Sequence, residues 1–458
     1  MGKLFKDTAY KNLDDFIFGS AKYPVTTKSG LEIGGGIVYP EVNFSLPTMT
    51  ISEESWPEVV RIYHEIATGI SERCNELYHP GFVAEIEILP EMTWVPKWGA
   101  EITKVVKDVL RDNDTNHGTK TAVRTTVIDL REGPNVKHMW SGKEWDLVLD
   151  TFKRSAEAGA DLLSIESVGG KDIHDEGCMY CDIEKTIFGL WLGSKDMSRL
   201  WSEIVKIAND SGSIPAGDTA CGFANTSLVL ADKNMIPRVF AAADRVVASV
   251  RTLVAVEEGA KGPSKDCGYE NIYLKAISGT PITNEGRVAA VAHLSPLGNI
   301  ASCVCDLWSN ESIQHIKLMG GFSEVVSFEQ LAYDCRIMNG ALRKDIKLAR
   351  AIRDLNADSD SRLDPMAYIL RPDVALAISQ ELVKQDTHYL RMKKGAELAL
   401  QAIQKGYDNN ELLLIDREVG YIDLLLDTLS GMPDTDDAFL AKMADSCGDL
   451  FQPKKFDL

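Results

Sequence analysis

Three short stretches carry side chains suited to holding a metal ion. Glu166 closes the apolar run of "LSIESVGGKD", Cys221 sits in "AGDTACGFAN", and Cys267 sits in "GPSKDCGYEN". Two thiolates and one carboxylate suit a tetrahedral zinc whose fourth position is left open, the pattern of a catalytic rather than a closed structural site. Thiolates are soft ligands, which favours zinc over magnesium. Against this stands the ordinary role of cysteine as a small buried core residue. The three residues are far apart in the chain, so the set means something only in a fold that gathers them.

The same stretches carry acids. Asp218, the pair Glu257 and Glu258, and Asp266 are each either proton donors or residues that cap a helix or orient a ligand. Cys178 and Cys181 have CxxC spacing, but a single pair lacks the second half of a zinc ribbon. Cys74, Cys303, Cys305, Cys335 and Cys447 read as helix packing. The eight histidines show no HxxxH, HExxH or HxC spacing, which argues against a histidine-rich zinc site. In "DLNADSDSRLDP" the sixth position from Asp354 is Ser359 and the twelfth is Pro365, so this reads as a solvated linker rather than a calcium loop.

From about residue 55 an amphipathic helical stretch, a break at Gly or Asn and a short β-rich run recur. "SWPEVVRIYHEIATGISERCNELYHPG" feeds "FVAEIEIL", "GAEITKVVKDVLRDNDTNHGTK" feeds "TAVRTTVIDL", and "WDLVLDTFKRSAEAGA" feeds "DLLSIES". "SRLWSEIVKIANDSG" then feeds "SIPAGDT", and "MIPRVFAAADRVVASVR" feeds "TLVAVEEG". Helices alternating with buried strands imply a parallel sheet, because each parallel connection needs a crossover. "GGGI" at 34–37 is not the glycine-rich turn of a doubly wound sheet, so the expected fold is a (β/α)8 TIM-type barrel. Residues 1–50 are expected as an N-terminal extension packed on the barrel, 51–325 as the barrel and 326–458 as a helical C-terminal region. In a barrel the loops after the strands share one mouth, which would bring Glu166, Cys221 and Cys267 together.

With 458 residues, 45% of them hydrophobic, the chain buries a large core. A formal charge of −19 repels phosphate backbones and anionic membranes, so neither nucleic acid nor membrane is an expected partner. There is no apolar run of about 18 residues, as a membrane span needs, and "MGKLFKDTAY" has no signal-peptide core. Nine cysteines, an odd number, fit reduced thiols in a cytoplasmic protein rather than a disulfide framework.

The stretches "ADLLSIESVGGK", "AGDTACGFANT" and above all "GPSKDCGYENIYLKAISG" resemble the zinc subunit of methanol:corrinoid methyltransferase. The likeness continues through "LWSNES" and "LAYDC", with "KYPV" and "LEIGGG" matching in kind. It implies a (β/α)8 barrel with appended helices, one zinc per chain on Glu166, Cys221 and Cys267, and methanol as methyl donor. The acceptor would be Co(I) of a partner corrinoid protein, giving methyl-Co(III), with the corrinoid carried by that partner and a homodimer or hetero-oligomer as the assembly. Departures lie around Ala220, in "HDEGCMYCDIEK" and in the tail, and bear on substrate pocket and partner contacts rather than on the metal.

Two thiolates and a carboxylate carry more negative charge than zinc carries positive, which blunts its Lewis acidity. A neighbouring acid is therefore expected to protonate the leaving oxygen, with Asp218, Glu257 and Asp266 as candidates. A methylthiol or another O-methyl donor is the alternative substrate, although the absent HxC motif favours methanol. A non-catalytic zinc scaffold for a corrinoid protein is a further alternative, and it would need a fourth protein ligand.

Overall fold

The computed structural model describes residues 3–44, 46, 49–133, 135–265, 268–292, 294–310 and 317–458. An antiparallel hairpin, β1 (Ser20–Thr26) with β2 (Glu32–Gly35), precedes the main sheet. That sheet is parallel and comprises β3 (Tyr39–Phe44), β4 (Gly81–Ile88), β5 (Lys120–Ile128), β6 (Leu162–Glu166), β7 (Ile214–Asp218), β8 (Thr283–Glu285) and β9 (Leu307–Asn310). Its spatial order is β7-β6-β5-β4-β3-β9-β8. Residues 261–264 draw the two edges together. Lys261 N donates to Pro215 O at 2.7 Å and Gly262 N to Ala216 O at 2.9 Å, along β7. On the other side Gly262 runs against Pro281, just before β8, so closely that a Cβ would fall 2.5 Å from the Pro281 carbonyl oxygen. The result is a TIM-type barrel as expected, with seven regular parallel strands among the described residues and residues 261–264 standing between β7 and β8.

Among the described residues, ten helices named in chain order accompany these strands: α1 (Trp56–Glu76), α2 (Pro90–Trp94), α3 (Pro96–His117), α4 (Lys143–Glu157), α5 (Lys171–Met179), α6 (Ile183–Ser211), α7 (Thr226–Asp232), α8 (Arg238–Glu257), α9 (Asn271–Ser278) and α10 (Arg287–Ala292). The long crossover helices form where the sequence is amphipathic: α3 buries Ile102, Val106 and Leu110, spaced four apart on one face. Gly118 and Gly212, at φ of 73° and 71°, end α3 and α6 in the left-handed conformation that glycine adopts without strain.

Because side chains alternate along a strand, the barrel interior is layered. At the base Val83, Ala122, Leu162, Ala216 and Leu307 pack on Val25, Leu31 and Ile33 of the hairpin, which plugs this end. Above them Arg124 is buried among Glu41 (Nε–Oε1 2.5 Å), Ser164 Oγ, Thr283 Oγ1 and the Pro263 carbonyl. At the open end the layer is acidic.

The described residues then form α11 (Ser323–Lys344), α12 (Ile346–Ser361), α13 (Pro365–Ile369), α14 (Pro372–Leu382), α15 (His388–Asp408), α16 (Asp416–Ser430) and α17 (Asp436–Cys447). α11 packs on β3 and α1, and α15 lies along α8. Among the described residues, no helix is long and apolar enough to cross a membrane.

Four of the five helix–strand cycles form as expected, and the fifth does not. The run "TLVAVEEG" is not a strand, since residues 252–257 complete α8. That helix is buried on every side, its polar Asp244, Arg245 and Arg251 as well as Val246, Val247, Val250, Leu253 and Val254, so its last turns have no solvent-facing stripe to reveal a helical period, and its β-branched end imitates a strand. The first barrel strand, β3, lies within the segment expected as an extension. The helical stretch from 328 is two helices, broken at Asp345, whose carboxylate caps α12 through Lys347 N at 2.9 Å. The Asp-rich stretch is largely helical as well, and Asp360 accepts from Asn299 N and Ile300 N at 2.9 and 3.0 Å.

Candidate functional site

β6 places Leu162, Ser164 and Glu166 on one face, turned into the barrel, with Glu166 last and its side chain 28% exposed at the open end. The next strand, β7, ends at Asp218, and three residues later the π-helical turn Cys221–Asn225 begins. Cys221 is partly exposed there, and Asn225 Nδ2 donates to its sulfur at 3.1 Å. Asn225 is held in turn, because its Oδ1 accepts from Arg245 Nη2, and Arg245 Nη1 pairs with Glu270 Oε2 at 2.9 Å. Glu270 also accepts from Ala220 N at 2.7 Å. A buried chain of polar groups thus aims an amide donor at Cys221. Cys267 and Asp266 lie outside the described residues.

The structure adds a residue that spacing did not reveal. Lys265 is buried inside the barrel with Nζ 3.0 Å from Glu166 Oε1, 3.3 Å from Glu87 Oε1 and 3.5 Å from Glu85 Oε1. Glu85 also accepts from Thr126 Oγ1 at 2.5 Å. The sequence did hold one signal: "FVAEIEIL" sets two acids two residues apart in an apolar strand, and so on one face of it.

Two of the acids expected as proton donors are placed otherwise. Asp218 is buried and accepts on all sides: Oδ1 from Ser167 N at 3.3 Å and Thr219 N at 2.8 Å, Oδ2 from Ser167 Oγ at 2.7 Å and Trp201 Nε1 at 2.9 Å. Burial pushes its pKa above the ordinary carboxylate range while the four donors favour the charged form, and it ties the loops of Glu166 and Cys221 together. Glu257 ends α8, four residues before Lys261 reaches the start of β7. It therefore lies at the plugged end, paired with His388 Nε2 and Arg391 Nη1, both at 2.7 Å.

The loop after β6 is anchored from outside the barrel. Val168 N donates to Asp129 Oδ2 at 3.2 Å, and Arg131 bridges Asp129 and Asp196 with bonds of 2.7 Å to each. Gly170, at φ +83°, starts α5 against α6 so tightly that a Cβ would fall 2.0 Å from Gly189 O. This close approach is what the paired glycines after Glu166 serve.

Behind the Cys221 turn, His174, Cys178 and Asp244 form a buried group whose ligand-type atoms lie within 4.8 Å of one another. His174 Nε2 is 3.1 Å from Asp244 Oδ1, Ser227 Oγ donates to Asp244 Oδ2 at 2.7 Å, and the His174 ring meets Phe223 of the turn edge-on at 5.1 Å. Burial works against charge on His174, but Cys178 and Asp244 outweigh it and raise its pKa well above the ordinary range. The imidazolium–carboxylate pair satisfies itself and buttresses the turn.

The chain matches the methanol-cobalamin methyltransferase B subunit family over residues 2–457. It is 39% identical over 411 residues to a methanol–corrinoid protein co-methyltransferase of Methanosarcina barkeri (strain Fusaro / DSM 804), covering 88% of each chain. Its fold superposes on a chain of the crystal structure of the methanol:cobalamin methyltransferase complex MtaBC from Methanosarcina barkeri with a TM-score of 0.94, at 35% identity and full coverage of both chains. A barrel that carries Glu166 and Cys221 at the ends of adjacent strands, matched from end to end, leaves one conclusion: the chain belongs to the methanol-cobalamin methyltransferase B subunit family and is a methyltransferase.

Proposed function

We propose that the chain transfers the methyl group of methanol to Co(I) of a separate corrinoid protein at a zinc held by Glu166, Cys221 and Cys267. The observation that carries this reading is the pairing, at the ends of adjacent strands, of a partly exposed carboxylate with a cysteine whose sulfur accepts a hydrogen bond from Asn225. Carboxylate oxygen and thiolate sulfur are donors that fit zinc. Cys267 joins them through its motif in the sequence, next to Lys265, which points to Glu166.

Bound there, zinc supplies Lewis acidity toward the oxygen that leaves methanol. As the carbon–cobalt bond forms, the C–O electron pair departs with oxygen, which takes up one proton to become water. Asp218 takes four hydrogen bonds and Glu257 pairs with His388 and Arg391, so of the three candidate acids Asp266 is proposed as the source of that proton. The chain's own groups keep the site in shape: Asp218 joins the two ligand loops, and Asn225 holds Cys221. With the hairpin filling the base, the partner's cofactor reaches the site from the open end, and a hetero-oligomer with the corrinoid protein follows. The eight described cysteines are free thiols, which suits a cytoplasmic setting.

The test mixes zinc-loaded protein with Co(I) cobalamin and methanol and follows the absorption of methyl-Co(III). Transfer that is lost on chelation, restored by zinc and absent in Cys221→Ala is the expected result. Full transfer by protein stripped of metal would overturn the proposal.

A further inference from the structure

We propose that Lys265 is a positioning residue of the metal centre, its ammonium holding the Glu166 carboxylate in place and offsetting the surplus negative charge of the ligands. This rests on the reading of Glu166, Cys221 and Cys267 as zinc ligands.

The geometry is specific. Nζ lies within 3.5 Å of three carboxylates, and the shortest of these contacts, 3.0 Å, is to Glu166 Oε1. An ammonium is kept in a protein interior only where opposite charges and hydrogen bonds replace its water. Arg124, one layer below, is committed to Glu41, so it is Lys265 that meets the acids at the open end. Glu85, Glu87 and Glu166 already place three negative charges there before any thiolate is counted.

Charge interactions fall only as the inverse of distance and strengthen in a poorly screened interior. A cation touching one ligand therefore repels the incoming metal, draws electron density from the Glu166 carboxylate and favours negative charge growing on a leaving oxygen. Lys265 would weaken metal binding and speed transfer, two effects that a residue serving only as a scaffold would not separate.

Three variants test this: Lys265→Met, Lys265→Arg and the double variant Lys265→Met with Glu87→Gln, which removes one charge of each sign. Zinc affinity is read by chelator competition, ligand geometry by the absorption of the Co(II)-substituted protein, and kcat by methyl transfer. For Lys265→Met the expected result is zinc held as tightly as in the wild type or tighter, a shifted Co(II) spectrum, and kcat lower by about 10–100-fold, the usual range for partners of metal ligands. Lys265→Arg restores most of kcat. Unchanged kcat, or affinity and kcat falling in proportion, overturns the proposal. Should Lys265→Met fail to fold, the double variant decides: reduced kcat with retained zinc supports the role, and wild-type kcat ends it. Wild-type protein that transfers methyl groups without metal would refute the zinc reading and this proposal with it, an outcome visible before any variant is made.

Discussion

Replacing Asp218 by Asn separates a proton donor from an anchor. The carboxylate accepts four hydrogen bonds, two on each oxygen. In Asp218→Asn the amide settles with its oxygen toward the two backbone N–H groups of Ser167 and Thr219, because both can only donate. Its nitrogen then faces Ser167 Oγ, which can rotate to accept, and Trp201 Nε1, which cannot. An indole N–H left without an acceptor costs about 1–3 kcal/mol. The two backbone bonds that lose a charged acceptor cost about 1 kcal/mol each, which brings the total to about 3–5 kcal/mol. That is a large share of the roughly 5–15 kcal/mol that stabilises a typical domain. Urea unfolding with zinc analysis checks it: the variant should unfold at lower urea and retain less zinc, since Ser167 and Thr219 adjoin the loops of both described ligands. A variant as stable and zinc-rich as the wild type, yet inactive, would refute the anchor and restore Asp218 as an acid.

Three further outcomes are expected. Glu257→Gln breaks a buried ion pair with Arg391 far from the open end, so it should cost about 3–5 kcal/mol in urea unfolding while the folded enzyme keeps its kcat. Asn225→Leu removes the donor to Cys221 Sγ and should weaken zinc binding by about 10–100-fold in chelator competition. Burial lowers the pKa of His79 from 6.5 to about 4, although its ring bonds to Gly81 O at 2.8 Å. The unfolded chain therefore binds the extra proton between those values, so this contribution is complete above pH 6.5 and is lost as pH falls toward 4. Between pH 7.5 and 5 the wild type should lose about 2 kcal/mol more than His79→Gln, and equal losses would refute it.

What could be read in the sequence depended on whether a residue's role is local. Four crossover helices announced themselves through an apolar stripe and a closing Gly or Asn, and the strands after them through β-branched runs. β3 did not, because "YPEVNF" places Glu41 and Asn43 on a face that looks polar yet turns into a charged interior. Glu166 was legible as an acid ending an apolar run, and Cys221 as a thiol three residues beyond the next strand. Lys265 was not, since its partners come from β4 and β6, and only closure of the barrel brings them within 3.5 Å. The role of Asp218 was hidden for the same reason: its donors come from 167, 201 and 219, so strand position showed the acid but not the four hydrogens pointing at it.

The hairpin β1–β2 stoppers the barrel, and a vessel with one doorway imposes a queue. On the proposed reading, alcohol going in and water coming out share the open end with the partner's cobalt, so methanol and the corrinoid protein approach the site from the same side.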